Sequence, residues 1–341
     1  MARLPVPKPV SGGLLLSYKC NSECKHCMYA CSPKCRANWI SLDDAEKVLT
    51  QLHAAFEESQ LARTSRLGLN SGLHFTGGEP FLNFGLLLNL VKMAHKIGFS
   101  STFVETNCFW SNDDEETFEK LVQLKTAGLH GILVSVNPFI LEYVPFEKTL
   151  RTINIGEKVF SGNIMVYQDF FYQQFRSLKI KGTLSFQDYL RKAGIRSLWF
   201  VELIPMGRAC YKIGHLFVKR PAEAFVNESC FEELTRPWHI HVDNYCNYIT
   251  GYCGGISLGN ARNLNQICQG IKLDDCPVIA MLSSDKGIGK LFQFSINEYG
   301  YKELKDGYVS KCHLCLDIRK HIVEQTSEFR ELQPEEFYNN L

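Results

Sequence analysis

Short apolar runs alternate with segments of helical spacing through the first two-thirds of this chain, and that rhythm limits the fold more than any other feature. Strand-like runs fall at Gly13–Tyr18, Gly72–Thr76, Ser101–Glu105, Gly131–Val136, Asn163–Tyr167 and Leu198–Ile204. Between them Leu42–Glu58, Leu82–Lys96, Asp113–Thr126 and Phe146–Phe160 carry apolar residues at helical intervals. Ser41 ahead of Asp43 and Asp44 reads as an N-cap with an acidic first turn. Such alternation predicts βαβ units and a parallel sheet. Six units fall two short of a closed eight-stranded barrel, so the expected fold is α/β, a partial (β/α)6 TIM-like barrel with its chemistry at the C-terminal strand ends.

The rhythm stops after Gly207, where cysteines, aromatics and glycines become dense. Trp238–Val242 and Tyr248–Tyr252 read as a hairpin across Asp243-Asn244-Tyr245-Cys246-Asn247, and helices are expected at Cys276–Leu282, Ile288–Asn297 and Cys312–Thr326. The predicted division is a core at 1–212, a small α+β domain at 213–325 and a tail or short terminal helix at 326–341. The aromatic run Asp169–Phe175 has helical spacing and is expected in the core.

The chain has 341 residues, 45% of them hydrophobic, enough for one large or two moderate cores. A net charge of +1 and the lack of a basic, aromatic-interleaved patch argue against nucleic acid as a partner. Three prolines in the first ten residues argue against a secretory or mitochondrial leader, and no run approaches the roughly 20 apolar residues of a membrane span. Fourteen cysteines without a leader point to a reducing cytoplasm, where clustered thiols serve metal or redox work.

Cys20, Cys24 and Cys27 form a C-x3-C-x2-C run just past the first strand. Three thiolates are one short of the four that fill an iron–sulfur cube, so one iron would stay open. A zinc site using Cys24-Lys25-His26-Cys27, or simple packing, are the alternatives. Thr76-Gly77-Gly78-Glu79-Pro80 follows the next strand: the glycines allow close backbone approach to a ligand, and Glu79 offers an acceptor for an ammonium.

Together these two motifs, in this order on consecutive strands, resemble the radical S-adenosylmethionine superfamily over about residues 10–210. The resemblance implies a catalytic 4Fe–4S cluster on Cys20, Cys24 and Cys27, with the methionine amine and carboxylate of S-adenosylmethionine on the fourth iron. Reductive cleavage would give a 5′-deoxyadenosyl radical that abstracts hydrogen from a substrate. Gly77, Gly78 and Glu79 would cradle the methionine amine, and His26 would stand where the family often sets an aromatic beside the adenine. Glu105-Thr106-Asn107 resembles the ribose-contacting segment, with Cys108 in place of the usual glycine, and Ser135-Val136-Asn137 resembles a second polar contact. For Asn107 and Ser135 an ordinary cap or turn is the alternative. Pro205-Met206-Gly207-Arg208-Ala209 resembles the turn that hands the barrel over to a SPASM or twitch extension, where Arg208 either holds a carboxylate or is a solvated turn residue.

Cys230, Cys253 and the Cys312-His313-Leu314-Cys315 pair resemble the twitch domain, which holds one auxiliary 4Fe–4S cluster; zinc on the same four thiolates is the alternative. Cys246 occupies a hairpin position where the family has glycine, and Cys268 and Cys276 are reserve ligands. Cys31 and Cys35, close past the triad, read as redox relays or loop packing. His239 and His241 share one face of a strand and are expected at the surface.

The expected function is therefore that of a radical S-adenosylmethionine enzyme leading to oxidation or peptide/protein modification, reduced by a donor such as ferredoxin or flavodoxin. Only about a dozen residues precede the first strand, which leaves no room there for a peptide-recognition domain and shifts weight to a small-molecule or partner-delivered substrate. A glycyl-radical activating enzyme, or a non-catalytic zinc or iron–sulfur protein, is the alternative; for the former, Cys31 and Cys35 are too few to form the usual ferredoxin-like insertion.

Overall fold

The computed structural model describes residues 2–58, 66–200 and 203–341, without the side chain of Phe200. Its strands are β1 (Arg3–Leu4), β2 (Ser11–Leu15), β3 (Gly72–Thr76), β4 (Thr102–Thr106), β5 (Gly131–Ser135), β6 (Ile164–Tyr167), β7 (Ile240–Val242), β8 (Tyr248–Ile249) and β9 (Ile271–Lys272). A seven-stranded sheet runs in the order β6-β5-β4-β3-β2-β7-β8. Every pairing from β6 to β7 is parallel, and β8 closes a short antiparallel hairpin.

The helices between the strands begin and end where local chemistry dictates. Helix α1 (Leu42–Glu57) starts at Ser41, whose side chain accepts from Asp44 N, and it buries Ala45, Val48, Leu49, Leu52 and Phe56 on one stripe. Helix α2 (Phe84–Ile97) stops at Gly98, which adopts φ 110°, a conformation only glycine takes cheaply. Helix α3 (Asp114–Thr126) is capped by Asp113. The segment Asp169–Ser177 is helical and buries Phe171, Tyr172 and Phe175, as the aromatic spacing predicts.

One strand lies elsewhere than expected. Of Leu198–Ile204, residues 198–200 belong to a 3-10 helix, 201 and 202 lie outside the described residues, and Leu203 and Ile204 take no regular structure. The sixth parallel strand is β7, on the far side of β2 and next to the edge strand β8, with Gly12–Leu14 in register with Ile240–Val242. A hairpin from the cysteine-rich segment thus completes the sheet that the N-terminal segment begins, across the expected boundary at 212. The pairings of Arg3 with Lys272 and Leu4 with Ile271, and a two-bond contact between Arg262 and Asp44, tie the same two segments together.

Candidate functional site

The loop carrying Cys20, Cys24 and Cys27 leaves the C-terminal end of β2 and lies against the turn that leaves β3. Gly78 N donates to Ser17 O at 2.8 Å and Glu79 N to Lys19 O at 3.1 Å. A Cβ at Gly78 would stand 1.9 Å from Lys19 O, and Gly77, at φ +118°, would meet Ser17 O at 2.6 Å. The glycines therefore admit the neighbouring loop's backbone, whereas the spacing alone suggested close approach to a ligand.

Glu79 is fully buried, and its carboxylate accepts from Phe81 N at 3.2 Å, Thr106 Oγ1 at 2.9 Å and Asn107 N at 2.8 Å. Three of its roughly four acceptor sites are thus taken by the chain, leaving one for an ammonium. Burial pushes this carboxyl up to about 7, with the three donors opposing.

Asn107 reaches back to the cysteine loop: its Nδ2 donates to Asn21 Oδ1 at 2.8 Å and lies 3.9 Å from Cys20 Sγ. Cys108 takes φ +69°, the left-handed conformation that explains why glycine is expected there. His26 stacks on Phe139 with ring centroids 5.0 Å apart. Its Nε2 lies 3.1 Å from Asn137 Nδ2, while Asn137 Oδ1 caps the next helix through Phe139 N and Ile140 N. The Asn137 amide is the donor, so His26 carries its proton on Nδ1, which is buried and has no partner. Burial, then Arg208, lower the His26 pKa to about 4. Ser135 ends β5, half-buried.

Arg208 has neither expected role. It is fully buried, so it is not a solvated turn residue, and its guanidinium is spent on carbonyls. Nη1 donates to Cys24 O at 2.9 Å, Nη2 to Ala30 O at 2.6 Å and Cys31 O at 3.0 Å, and Nε to Asn340 O at 3.0 Å. Its backbone N donates to Cys27 O at 3.1 Å. One cation thus gathers the carbonyls of the triad loop and sets its charge beside the thiols. The Cys27 thiol is held below the ordinary range first by a hydrogen bond from Cys31, with Arg208 adding to it against burial. Burial and the neighbouring thiols raise Cys24, and Arg208 opposes them. Cys31 and Cys35 are buried within this loop.

Cys230, Cys253, Cys312 and Cys315, distant in sequence, line one cavity of about 290 Å3 together with Met28, Arg236 and Arg319. Arg319 donates to Cys315 Sγ at 3.3 Å, to Gly254 O at 3.1 Å and to Tyr338 Oη at 2.6 Å. Arg236 Nη1 is buried without a partner. A cavity of four thiols with two guanidiniums fits a polyanionic group. The reserve ligands Cys268 and Cys276 do not line it. Cys246, at φ +66°, is a turn residue as expected.

His239 and His241 correct a further expectation: they are 7% and 3% exposed, packed inside the sheet against His74, which the sequence reading passed over. A histidine in a parallel strand covered on both faces is the signal that could have found it.

Residues 13–142 match the family of the 4Fe-4S single cluster domain. An S-adenosylmethionine-dependent nucleotide dehydratase of Fibrobacter sp. (strain UWH6) is 29% identical over 89 residues, 26% of this chain and 25% of that protein. The chain thus matches only a quarter of that relative's length. Among solved structures, BtrN in complex with AdoMet and 2-DOIA aligns with a TM-score of 0.47 at 15% identity, over 84% of this chain and 91% of that one. Native anSMEcpe with bound AdoMet aligns with a TM-score of 0.45 at 12% identity, over 93% and 98%. The matched segment holds both the cysteine triad and the Gly-Gly-Glu-Pro turn. Over that segment the chain is similar to a single-cluster 4Fe–4S domain.

Proposed function

We propose that this protein is an enzyme of radical S-adenosylmethionine chemistry, with a catalytic 4Fe–4S cluster at Cys20, Cys24 and Cys27 and an auxiliary one at Cys230, Cys253, Cys312 and Cys315. When bound, a reduced cluster and S-adenosylmethionine supply hydrogen abstraction from an unactivated C–H bond. The observation that carries this reading is the backbone seam between the cysteine loop and the Gly77–Glu79 turn, formed by Gly78 N on Ser17 O and Glu79 N on Lys19 O. It brings the triad beside the turn at the C-terminal ends of adjacent parallel strands, where a partial barrel would do its chemistry.

The chain's own residues prepare the site in three ways. Arg208 holds the loop and offsets thiolate charge. The remaining acceptor of Glu79 and the carbonyls of Gly77 and Gly78 face the role of receiving an ammonium. His26, with its unpartnered Nδ1–H, and Ser135 are the polar groups for the nucleoside end. The second cavity, lined by half-buried Arg236 and buried Arg319, supports an auxiliary cluster and thereby a redox outcome, oxidation or peptide/protein modification; a donor such as ferredoxin or flavodoxin would supply the electrons.

Anaerobic reconstitution followed by dithionite and S-adenosylmethionine tests the reading. The expected result is about eight iron per chain and formation of 5′-deoxyadenosine, abolished by Cys24→Ala. Zinc in place of iron, with no visible absorbance, would overturn it.

A further inference from the structure

Between the sheet's core and the layer that carries the cysteine loop, three histidines meet. His74 on β3 and His241 on β7 are not on neighbouring strands; β2 runs between them. The residue of β2 in register with both is Gly13. Because Gly13 has no side chain, the two imidazoles close over it, with His74 Nε2 3.1 Å from His241 Nε2. A Cβ at Gly13 would stand 2.3 Å from His74 Nε2 and 2.8 Å from His241 Cδ2. His239 joins them from the same strand edge in a left-handed conformation, φ +53°, which a residue with a side chain keeps only when its surroundings impose it. Among the described residues, this is the one group of three His, Cys, Asp or Glu side chains whose ligand atoms converge to single-ion spacing, all within 4.8 Å.

The outer hydrogen bonds fix the protons. His239 Nδ1 faces Leu69 O at 2.8 Å, an acceptor only, so Nδ1 is protonated and Nε2 keeps its lone pair. Tyr29 Oη donates to Gly251 O at 2.8 Å, so it accepts from His241 Nδ1 at 2.8 Å, and His241 Nε2 also keeps its lone pair. This is the arrangement in which an outer carbonyl or hydroxyl orients a metal-ligating imidazole. With His241 Nε2 unprotonated, His74 Nε2 is the donor across their 3.1 Å contact, and an ion held between the two nitrogens would shift that proton to His74 Nδ1, which is buried without a partner. Glu105 Oε1 lies 3.7 Å from His74 Nε2, with Glu105 Oε2 anchored by Thr76 Oγ1 at 2.6 Å.

We propose that His74, His239 and His241 form a binding site for a divalent first-row transition metal, with Glu105 as the fourth, charge-compensating ligand. Neutral imidazole nitrogens with a carboxylate suit such ions. Ligands at about 2.0–2.1 Å from a tetrahedral ion stand about 3.3 Å apart, so the three histidine nitrogens, all within 4.8 Å of one another, close by about 1.5 Å at most. His74 stands two residues before Thr76, where β3 ends ahead of the Gly77–Glu79 turn, and Tyr29 connects the group to the cysteine loop through His241. Its position suits a structural ion that locks β7 onto β2 and β3.

The test uses the full chain with its clusters reconstituted, stripped of loose metal and titrated with Zn2+. The expected result is one tightly held zinc per chain by mass spectrometric metal analysis. Its X-ray absorption should show only N/O neighbours at about 2.0–2.1 Å with imidazole multiple scattering. His241→Gln should lose that zinc while iron per chain stays unchanged. His239→Gln, at the more open side of the group, serves as a second variant should His241→Gln fail to fold, and should lower zinc affinity at least tenfold. No zinc above the level of the histidine variants would overturn the proposal. So would zinc with sulfur neighbours at about 2.3 Å that Cys312→Ala removes; that outcome would instead place zinc on the four thiols and count against the auxiliary cluster.

Discussion

Arg208 and Cys24 are 184 residues apart in sequence, yet Arg208 Nη1 donates to Cys24 O at 2.9 Å in the interior of the protein. The same guanidinium takes Ala30 O and Cys31 O, so a residue from the turn at 205–209 determines the shape of the cysteine loop. The positive charge of Arg208 opposes the burial that raises the Cys24 thiol and adds to the Cys31 hydrogen bond in lowering Cys27.

Arg208→Gln should therefore leave several buried carbonyls without donors and remove the charge beside the triad. We expect a loss of about 3 kcal/mol or more in stability and iron content reduced toward that of a single cluster. Arg208→Lys should recover part of the iron and little of the stability, since an ammonium cannot span the fork of acceptors. Urea midpoints and iron analysis on the two variants check this.

The two cysteine groups should lose iron independently. Cys24→Ala and Cys312→Ala are each expected to retain about four iron per chain, while only Cys24→Ala abolishes binding of S-adenosylmethionine. Iron analysis with electron paramagnetic resonance of the reduced variants separates them. Loss of all iron from either one would mean that the two sites are not distinct.

Two glycines a few residues apart should respond in opposite ways. At Gly78 an added Cβ meets Lys19 O at 1.9 Å, so Gly78→Ala should part the two loops and cost about 3 kcal/mol. At Gly85, exposed in the first turn of α2, nothing lies within 4 Å of such a Cβ. Gly85→Ala should be neutral or stabilising by up to about 1 kcal/mol. Thermal unfolding of both variants is the measurement.

Asp44 and Arg262 join α1 to the C-terminal segment through bonds of 2.5 and 2.8 Å. The Arg262 contact, with help from Ser41, holds the Asp44 carboxyl at about 2, below its ordinary value of 3.8. A depressed carboxyl stabilises the fold above its unfolded pKa, and that contribution disappears as pH falls from about 4 toward 2. Both groups are partly exposed, so Arg262→Ala should cost only about 0.5–1 kcal/mol at neutral pH. The difference between variant and parent in urea should vanish near pH 2; a difference that persists there would assign the cost to packing.

Much of the fold and site is legible in the sequence because it rests on neighbours along the chain. The 3.6-residue periodicity and the Ser41 cap delimit α1 to within a residue, and Gly72–Thr76 is a strand over the length its apolar run predicts. The triad lies just past a strand end, and Cys108 and Cys246, which stand where the family resemblance implies glycine, both take left-handed conformations. The four C-terminal cysteines do share one cavity.

Sequence by itself determined the order of most elements, the spacing of the cysteine triad and the turn beside it, since each depends on residues a few positions apart. Tertiary structure decided which strand became the sixth parallel one, because a three-residue run such as Ile240–Val242 becomes a strand only when an edge such as β2 is there to pair with it. It also decided that Arg208 is a buried clamp, since burial of a charge depends on carbonyls gathered from far along the chain. And it brought His74, His239 and His241 together over Gly13, a contact fixed by register across three strands and invisible to any local pattern.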